Sequence, residues 1–418
     1  MNVLAQTLAM LRAKADRSST ASPFSNLSAY KTIAQHRKMG ALLNIESPFF
    51  RITEGLQGDK VLIDGKPVLN FAWTDYLAFS QHPGLRAASK AAIDQYGASV
   101  SASRMVSGDT GLHRELEKEI ADFIGVDSAL VFSSGHSANV YTIGALMSDG
   151  DLIVHDEFMH NSGYIGTRLS GATARSFRHN RLDKLEAILR DERAKYRNAL
   201  IIIEGQYSAD GDVPDLARVI ELKEQYGAWL MVDEAHSLGV IGRTGRGISE
   251  YCEVDPSKVE IWMGVLSKAL GSVGGYVAGS SDLTDILRYS AAGFVFSVGL
   301  SPANTAAALA AVRILKGEPE RMKRLHDNGA LFLKEAHERG LNTGNALGFG
   351  MLPIMVGQTA RAAKLVQRMY ERGINVSLII YPGVPLNAGR LRFFLNSEHT
   401  AEEIQTAISA VKEEFAKV

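Results

Sequence analysis

Five short runs rich in β-branched and apolar residues constrain this chain more than anything else in it: ALVFSS, DLIVHD, ALIIIEGQ, WLMVDEAH and IWMGVLS, all between residues 129 and 267. Helix-length segments separate them. Strands joined by such long connections pair in parallel, and continuous apolar runs mean burial on both faces. An α/β fold with a large, mostly parallel sheet follows. Near residue 300 the rhythm changes. The alanine-rich NTAAALAAVRILKG predicts a long helix leading into a smaller α+β domain, where MLPIMVG, INVSLIIY and RLRFFL predict strands and AEEIQTAISAVKEEF a closing helix. Ahead of the series, YKTIAQHRKMGALL predicts a helix and VLIDGKPVLNFAW a hairpin turning on Asp64-Gly65. The expected division is residues 1–70 as an N-terminal helical extension with a small hairpin, 71–305 as the large domain and 306–418 as the C-terminal small domain.

The 418 residues, 46% hydrophobic and 22% charged, have the balance of a soluble globular protein. A net charge of −1 without a basic tract argues against a nucleic-acid surface. The single cysteine, Cys252, cannot form an internal disulfide, which points to a reducing compartment, the cytoplasm, and reads as a buried thiol rather than a nucleophile. No apolar run approaches the roughly 18 residues of a membrane helix. In MNVLAQTLAMLRAKADRSSTASPF, Val3, Leu4, Leu8 and Leu11 recur at helical spacing instead of forming one block. That predicts an amphipathic helix packing on a partner, with membrane contact at most peripheral, and not a signal peptide. RSSTASPFS reads as a linker.

In open parallel sheets, ligands bind beyond the carboxyl ends of the strands. Residues 133–136, 156–160, 204–208 and 233–236, and Lys268, each follow one of the five runs, so five strand ends feed one rim. Lys268 sits in WMGVLSKALGSVGG, between an apolar run and a glycine-serine turn. A loop lysine is ordinarily solvated; one held neutral in a cleft can form an imine with a carbonyl. Asp233 emerges from a buried strand end and needs a partner: a helix cap, an ion pair, or a heterocyclic nitrogen that must stay protonated. His236, three residues on, fits an ordinary core position or an adjacent ring oxygen. In FSSGHSANVYTIGAL the backbone N–H groups of Gly135 and His136 fall at a helix N-terminus, a natural phosphate seat. The three-glycine spacing of a dinucleotide loop is absent there and in GSVGG, which disfavours nicotinamide chemistry. A phosphate seat, an acid for a ring nitrogen and an imine-forming lysine together describe a site for pyridoxal 5′-phosphate (PLP). No metal is expected.

Collinear motifs carry a resemblance over roughly residues 45 to 415. VDEAHSLGVIGRTGRGISE, GVLSKALGSVGGYVAGS, YGASVSASRMVSGDTGLHRELE, FRHN, IEGQYSADGDVPDL, FSVGLSPA and GRLRFFLNSEHT resemble the α-oxoamine synthases, PLP-dependent enzymes of fold type I. The resemblance implies a decarboxylative condensation of an α-amino acid with an acyl thioester, from coenzyme A or an acyl-carrier protein, giving an α-amino ketone, CO₂ and free thiol. It makes Lys268 the PLP-binding lysine and base, Asp233 the partner of the pyridine nitrogen, and His236 and Ser208 neighbours of the phenolic oxygen. His160 is then the histidine stacked on the ring, and Arg392 the grip on the substrate carboxylate. Ser267, with Gly135 and His136, contacts the phosphate. The family is homodimeric, and Ser297 in FSVGLSP would reach the phosphate of the neighbouring subunit.

Three positions depart from the family pattern. Val265 stands where a threonine usually contacts the phosphate, Asp75 follows Thr74 where an asparagine is common, and Ile380 or Tyr381 replaces an arginine. Arg392 is left as the main carboxylate anchor. HNSG, SVSASRMVSGD and YPGVPLNAGRLRFF look closer to members associated with polyketide and fatty-acyl assembly. VDEAHSLGVIG and the long N-terminal lead resemble bacterial serine palmitoyltransferases, which make 3-ketosphinganine. The glycine-specific branches look less similar. A PLP aminotransferase or lyase, or a non-catalytic partner subunit on the same fold, are the rival readings; retention of Lys268 speaks against the last.

Overall fold

A computed structural model describes residues 22–56 and 58–418. The helix expected over the first two dozen residues falls almost wholly outside them. The chain divides into one unit ending at Arg51 and a second spanning Ile52–Val418. In the first, Ser22 caps a 3₁₀ turn at Pro23–Asn26, and the expected helix runs over Ser28–Leu42 with none of its side chains buried.

The second unit holds two sheets. The larger has seven strands: β4 (Ser128–Phe132), β5 (Leu152–Asp156), β6 (Thr173–Phe177), β7 (Ala199–Glu204), β8 (Trp229–Asp233), β9 (Ile261–Val265) and β10 (Gly275–Gly279), in the order β4-β10-β9-β8-β7-β5-β6. All run parallel except β10, which is antiparallel to both neighbours. The five predicted runs are β4, β5, β7, β8 and β9, so their carboxyl ends share one edge. Alternate residues of β7 enter different cores, Ile201 and Ile203 on one face and Leu200 and Ile202 on the other. This two-sided burial explains the uninterrupted apolar runs.

Two strands of this sheet were not legible. β6 is an edge strand with three exposed side chains, so it lacks an apolar signature. β10 (GYVAG) carries glycines at both ends, a pattern that reads as a turn. Gly275 has to be glycine because a Cβ there would meet the backbone of Gly135.

The smaller sheet joins β1 (Thr53–Glu54), β2 (Lys60–Ile63) and β3 (Lys66–Phe71) to β11 (Met351–Gly357), β12 (Ile374–Ile379) and β13 (Gly389–Phe394), in the order β1-β2-β3-β12-β13-β11. Asp64 and Gly65 both take positive φ, 50° and 71°, making the tight turn expected between β2 and β3. β3 then pairs in parallel with β12, so the hairpin shares a sheet with the C-terminal strands. The helix Pro302–Gly317 and the closing helix Ala401–Phe415 form as predicted.

Candidate active site

The rim of the large sheet encloses a cavity of about 290 Å³. Gly135, His136, His160, Ser208, Asp233, His236, Ser267 and Lys268 all line it, so eight of the sequence-predicted site residues meet in one place. A larger cavity, about 370 Å³, opens at the opposite edge beside Trp229 and Ile261, and its lining holds no lysine, arginine or histidine.

Each wall has a local cause. Beyond β4, Ser134 caps the helix Gly135–Leu146 by accepting the Ser137 N–H through its hydroxyl. The first N–H groups of a helix have no partner within it, so Gly135 and His136 present donors at the cavity wall. Val265 packs directly against Gly135, and a Cβ on Gly135 would overlap the Val265 Cγ1. Beyond β5, His160 caps the helix Asn161–Ser170. From β8, Asp233 accepts the Ala235 N–H at 2.9 Å on Oδ1 and the Asn139 amide at 2.8 Å on Oδ2.

Lys268 follows β9 and is half-buried. Burial lowers its amine from 10.5 to about 8; Asp233 and Glu204 pull it back up, and Arg392 pushes it further down. Glu204 lies level with Asp233 on the adjacent strand. Burial raises its carboxyl from 4.5 to about 8, and the Asp233 charge adds to this. One of its oxygens accepts the Ser208 N–H at 3.2 Å, while Oε1 is buried without a partner. Two carboxylates side by side do not both ionise readily. Burial also holds His236 far below the ordinary imidazole range, with the Lys268 and Arg392 charges contributing, so its ring is neutral.

Two predicted residues lie off the cavity lining. Arg392 sits behind Ser208, donating to its carbonyl at 3.0 Å and to Ser377 Oγ at 3.3 Å, with Nε buried and unpartnered. Phe394 underlies its guanidinium, 5.2 Å from the ring centroid. Ser297 lines a separate small pocket with Arg104, Phe294 and Leu300. Asp75, where the family favours asparagine, spends both oxygens on the Phe79 and Ser80 N–H groups and so caps the turn after Tyr76.

Sequence reasoning missed four contributors. Tyr76 reaches His236 Nδ1 at 2.6 Å. Asn139 and Ser162 contact Asp233 and His160, and Glu204, which no motif marks, lines the cavity level with Asp233. Asn139, four residues after Gly135, shares its helix face, a spacing that could have marked it. His179, from FRHN, bridges Asp156 at 3.0 Å and Asp212 at 3.0 Å, tying the β6 end to the loop beyond β7. Burial opposes its charge, but the two carboxylates more than offset that and raise it to about 9.

The site has what PLP requires: an anion seat of backbone N–H groups, a hydrogen-bonded carboxylate, and a lysine of lowered basicity. The aminotransferase class I and II family profile matches residues 66–411. An 8-amino-7-oxononanoate synthase of Fervidobacterium nodosum is 39% identical over 371 residues, covering 88% of this chain and 92% of its own. Serine palmitoyltransferase of Sphingomonas wittichii superposes with a TM-score of 0.90 at 27% identity, covering 95% of this chain and 100% of its own. A serine palmitoyltransferase structure with PLP as internal aldimine gives the same TM-score, identity and coverage. The chain belongs to the aminotransferase class I and II family, on the fold type I scaffold of PLP-dependent transferases. Within that class it is an α-oxoamine synthase, a PLP-dependent acyltransferase that condenses an α-amino acid with an acyl thioester and releases CO₂.

Proposed function

We propose that the cavity at the carboxyl edge of the large sheet is the PLP and substrate site of this condensation, with Lys268, Asp233, His160 and His236 as its working residues. The observation that carries this reading is a half-buried lysine, its amine lowered to about 8, on one cavity with Asp233 and a helix N-terminus. PLP, when bound, supplies an electron sink for the pair left at the substrate α-carbon.

The chain's own groups do the rest. Gly135 and His136, with Ser267, hold the phosphate. Asp233, held by two N–H donors, pairs with a ring nitrogen that must stay protonated. Lys268 binds the cofactor, and its amine, lowered to about 8, removes and returns the α-proton. His160 forms a wall for the ring, while His236 and Ser208 flank its oxygen. Arg392 orients the amino-acid carboxylate from behind Ser208. Holding both substrates in one orientation supplies up to roughly 7–11 kcal/mol of the rate enhancement.

The acyl donor is a medium or long chain carried by a protein or by coenzyme A, as in fatty-acyl and polyketide assembly. The names of the relatives add two defined alternatives: 8-amino-7-oxononanoate as the product, and serine with a palmitoyl donor. Mass spectrometry of products from an amino-acid panel with acyl thioesters of graded length tests this. An α-amino ketone with release of thiol and CO₂ is expected; keto acid without thiol release overturns it. The protein works as a homodimer in which Ser297 addresses the other subunit's phosphate seat, a reading supported by its lying off the cavity of its own chain. Among the described residues no helix is long and apolar enough to cross a membrane.

A further inference from the structure

Asp233 and His160 are joined by two residues to which the proposed reaction assigns nothing. Asn139 Nδ2 donates to Asp233 Oδ2 at 2.8 Å and to Ser162 Oγ at 2.9 Å. Ser162 Oγ lies 2.7 Å from His160 Nδ1, which also accepts the Ser162 backbone N–H at 3.3 Å. Asn139 and Ser162 are both buried, so no solvent competes for these bonds. The two residues come from different helices, Gly135–Leu146 and Asn161–Ser170. Gly166 lets those helices approach, since a Cβ there would press on Ile143 and the backbone of Val140.

Donor and acceptor counting fixes the direction of every proton in this chain. A carboxylate only accepts, so the Asn139 amide must turn its NH₂ toward Asp233. Both amide protons are then spent, one on Asp233 and one on Ser162. With its oxygen accepting from Asn139, the Ser162 hydroxyl directs its single proton to His160 Nδ1. That nitrogen therefore carries no proton, and the neutral ring keeps its proton on Nε2. The hydrogen-bond chain from Asp233 through Asn139 and Ser162 thus sets the tautomer of His160.

We propose that Asn139 and Ser162 are positioning residues that hold the Asp233 carboxylate by Oδ2 and lock His160 as the Nε2–H tautomer. The consequence for PLP rests on Asp233 and His160 being cofactor contacts; the tautomer lock does not. Without the Ser162 hydroxyl only the longer backbone N–H holds His160 Nδ1; with Asn139 gone that hydroxyl is no longer directed and Asp233 loses one of its two N–H donors.

The test uses ¹⁵N-histidine NMR of the full chain, with His160 assigned by its loss in His160→Gln, together with PLP binding by equilibrium dialysis and absorbance. Wild type is expected to show a single Nε2–H signature for His160. Ser162→Ala leaves only the 3.3 Å backbone N–H on Nδ1 and should let a second tautomer appear beside the Nε2–H form, with PLP affinity falling a few-fold; Ser162→Thr, which keeps the hydroxyl, should restore both. Asn139→Ala should lose the signature and weaken PLP on the order of tenfold, the scale of one hydrogen bond to a charged group. A His160 signature unchanged in Ser162→Ala overturns the proposal. If Asn139→Ala does not fold, the Ser162 pair decides alone. Wild type with the predicted signature but no PLP binding leaves the lock standing and refutes the site assignment.

Discussion

Lys268 offers the sharpest energetic test, because its function and its cost to the fold are the same quantity. Its amine lies about 2.5 pH units below the ordinary 10.5, at about 8. At about 1.4 kcal/mol per unit, the buried ammonium costs the folded apoenzyme about 3 kcal/mol when protonated. Below pH 8 the folded and unfolded chains both hold the proton, and the full penalty is present. Between pH 8 and 10.5 the unfolded chain keeps a proton that the folded chain has shed, so folding becomes more favourable as pH rises. Above 10.5 both are neutral and the penalty is gone. Lys268→Met, close in shape to the neutral side chain, removes the penalty at every pH. It should therefore stabilise the apoenzyme by about 3 kcal/mol at pH 7 and by nothing at pH 11. Glu204 contributes an opposite slope, since its folded carboxyl holds a proton between pH 4.5 and about 8 that the unfolded chain releases. Because the Lys268 charge itself acts on Glu204, both chains carry Glu204→Gln, which removes that slope. Urea unfolding of both apoproteins from pH 6.5 to 11, followed by tryptophan fluorescence, measures it. A difference that does not change with pH would refute the reasoning, because the amine would then be hydrated and fully basic.

Val265→Thr places a hydroxyl beside Gly135 at the anion seat; dialysis should show PLP binding at least tenfold tighter, the scale of a hydrogen bond of about 1.5–3 kcal/mol, and unchanged affinity would rule out a phosphate contact at this position. His179→Gln leaves two carboxylates without the cation they share and should cost about 3 kcal/mol in thermal or urea unfolding at pH 6. With a folded value raised to about 9, the stabilisation by His179 is complete below 6.5 and fades as pH rises through 9, so the loss should shrink over that window; a constant loss would mean packing rather than charge. Arg392→Lys, which exchanges a planar fork for a point charge, should raise KM for the amino acid at least tenfold with a smaller change in kcat; a fall in kcat at unchanged KM would place its role in the chemical step.

The strand series was readable because parallel strands buried on both faces leave unbroken apolar runs, and those runs located the rim. Lys268, Asp233, His160 and the Gly135 helix could be singled out there since each follows a strand end. Their partners could not. Asn139, Ser162 and Tyr76 are single polar residues without periodicity or motif, and each joins the site through a contact 23 to 160 positions away in the chain. β6 and β10 were missed for related reasons, one being too exposed and the other too rich in glycine to read as a strand.

Local side-chain chemistry determined which residues this protein brings to its rim: hydrophobic periodicity is written along the chain, and a strand end is a position in the sequence. Tertiary structure alone decided their protonation. The amine of Lys268, the carboxyl of Glu204 and the imidazole of His236 take their character from burial and from charges on neighbouring strands. No linear pattern encodes those distances, because electrostatic energy depends on separation in space and on the water excluded between the groups.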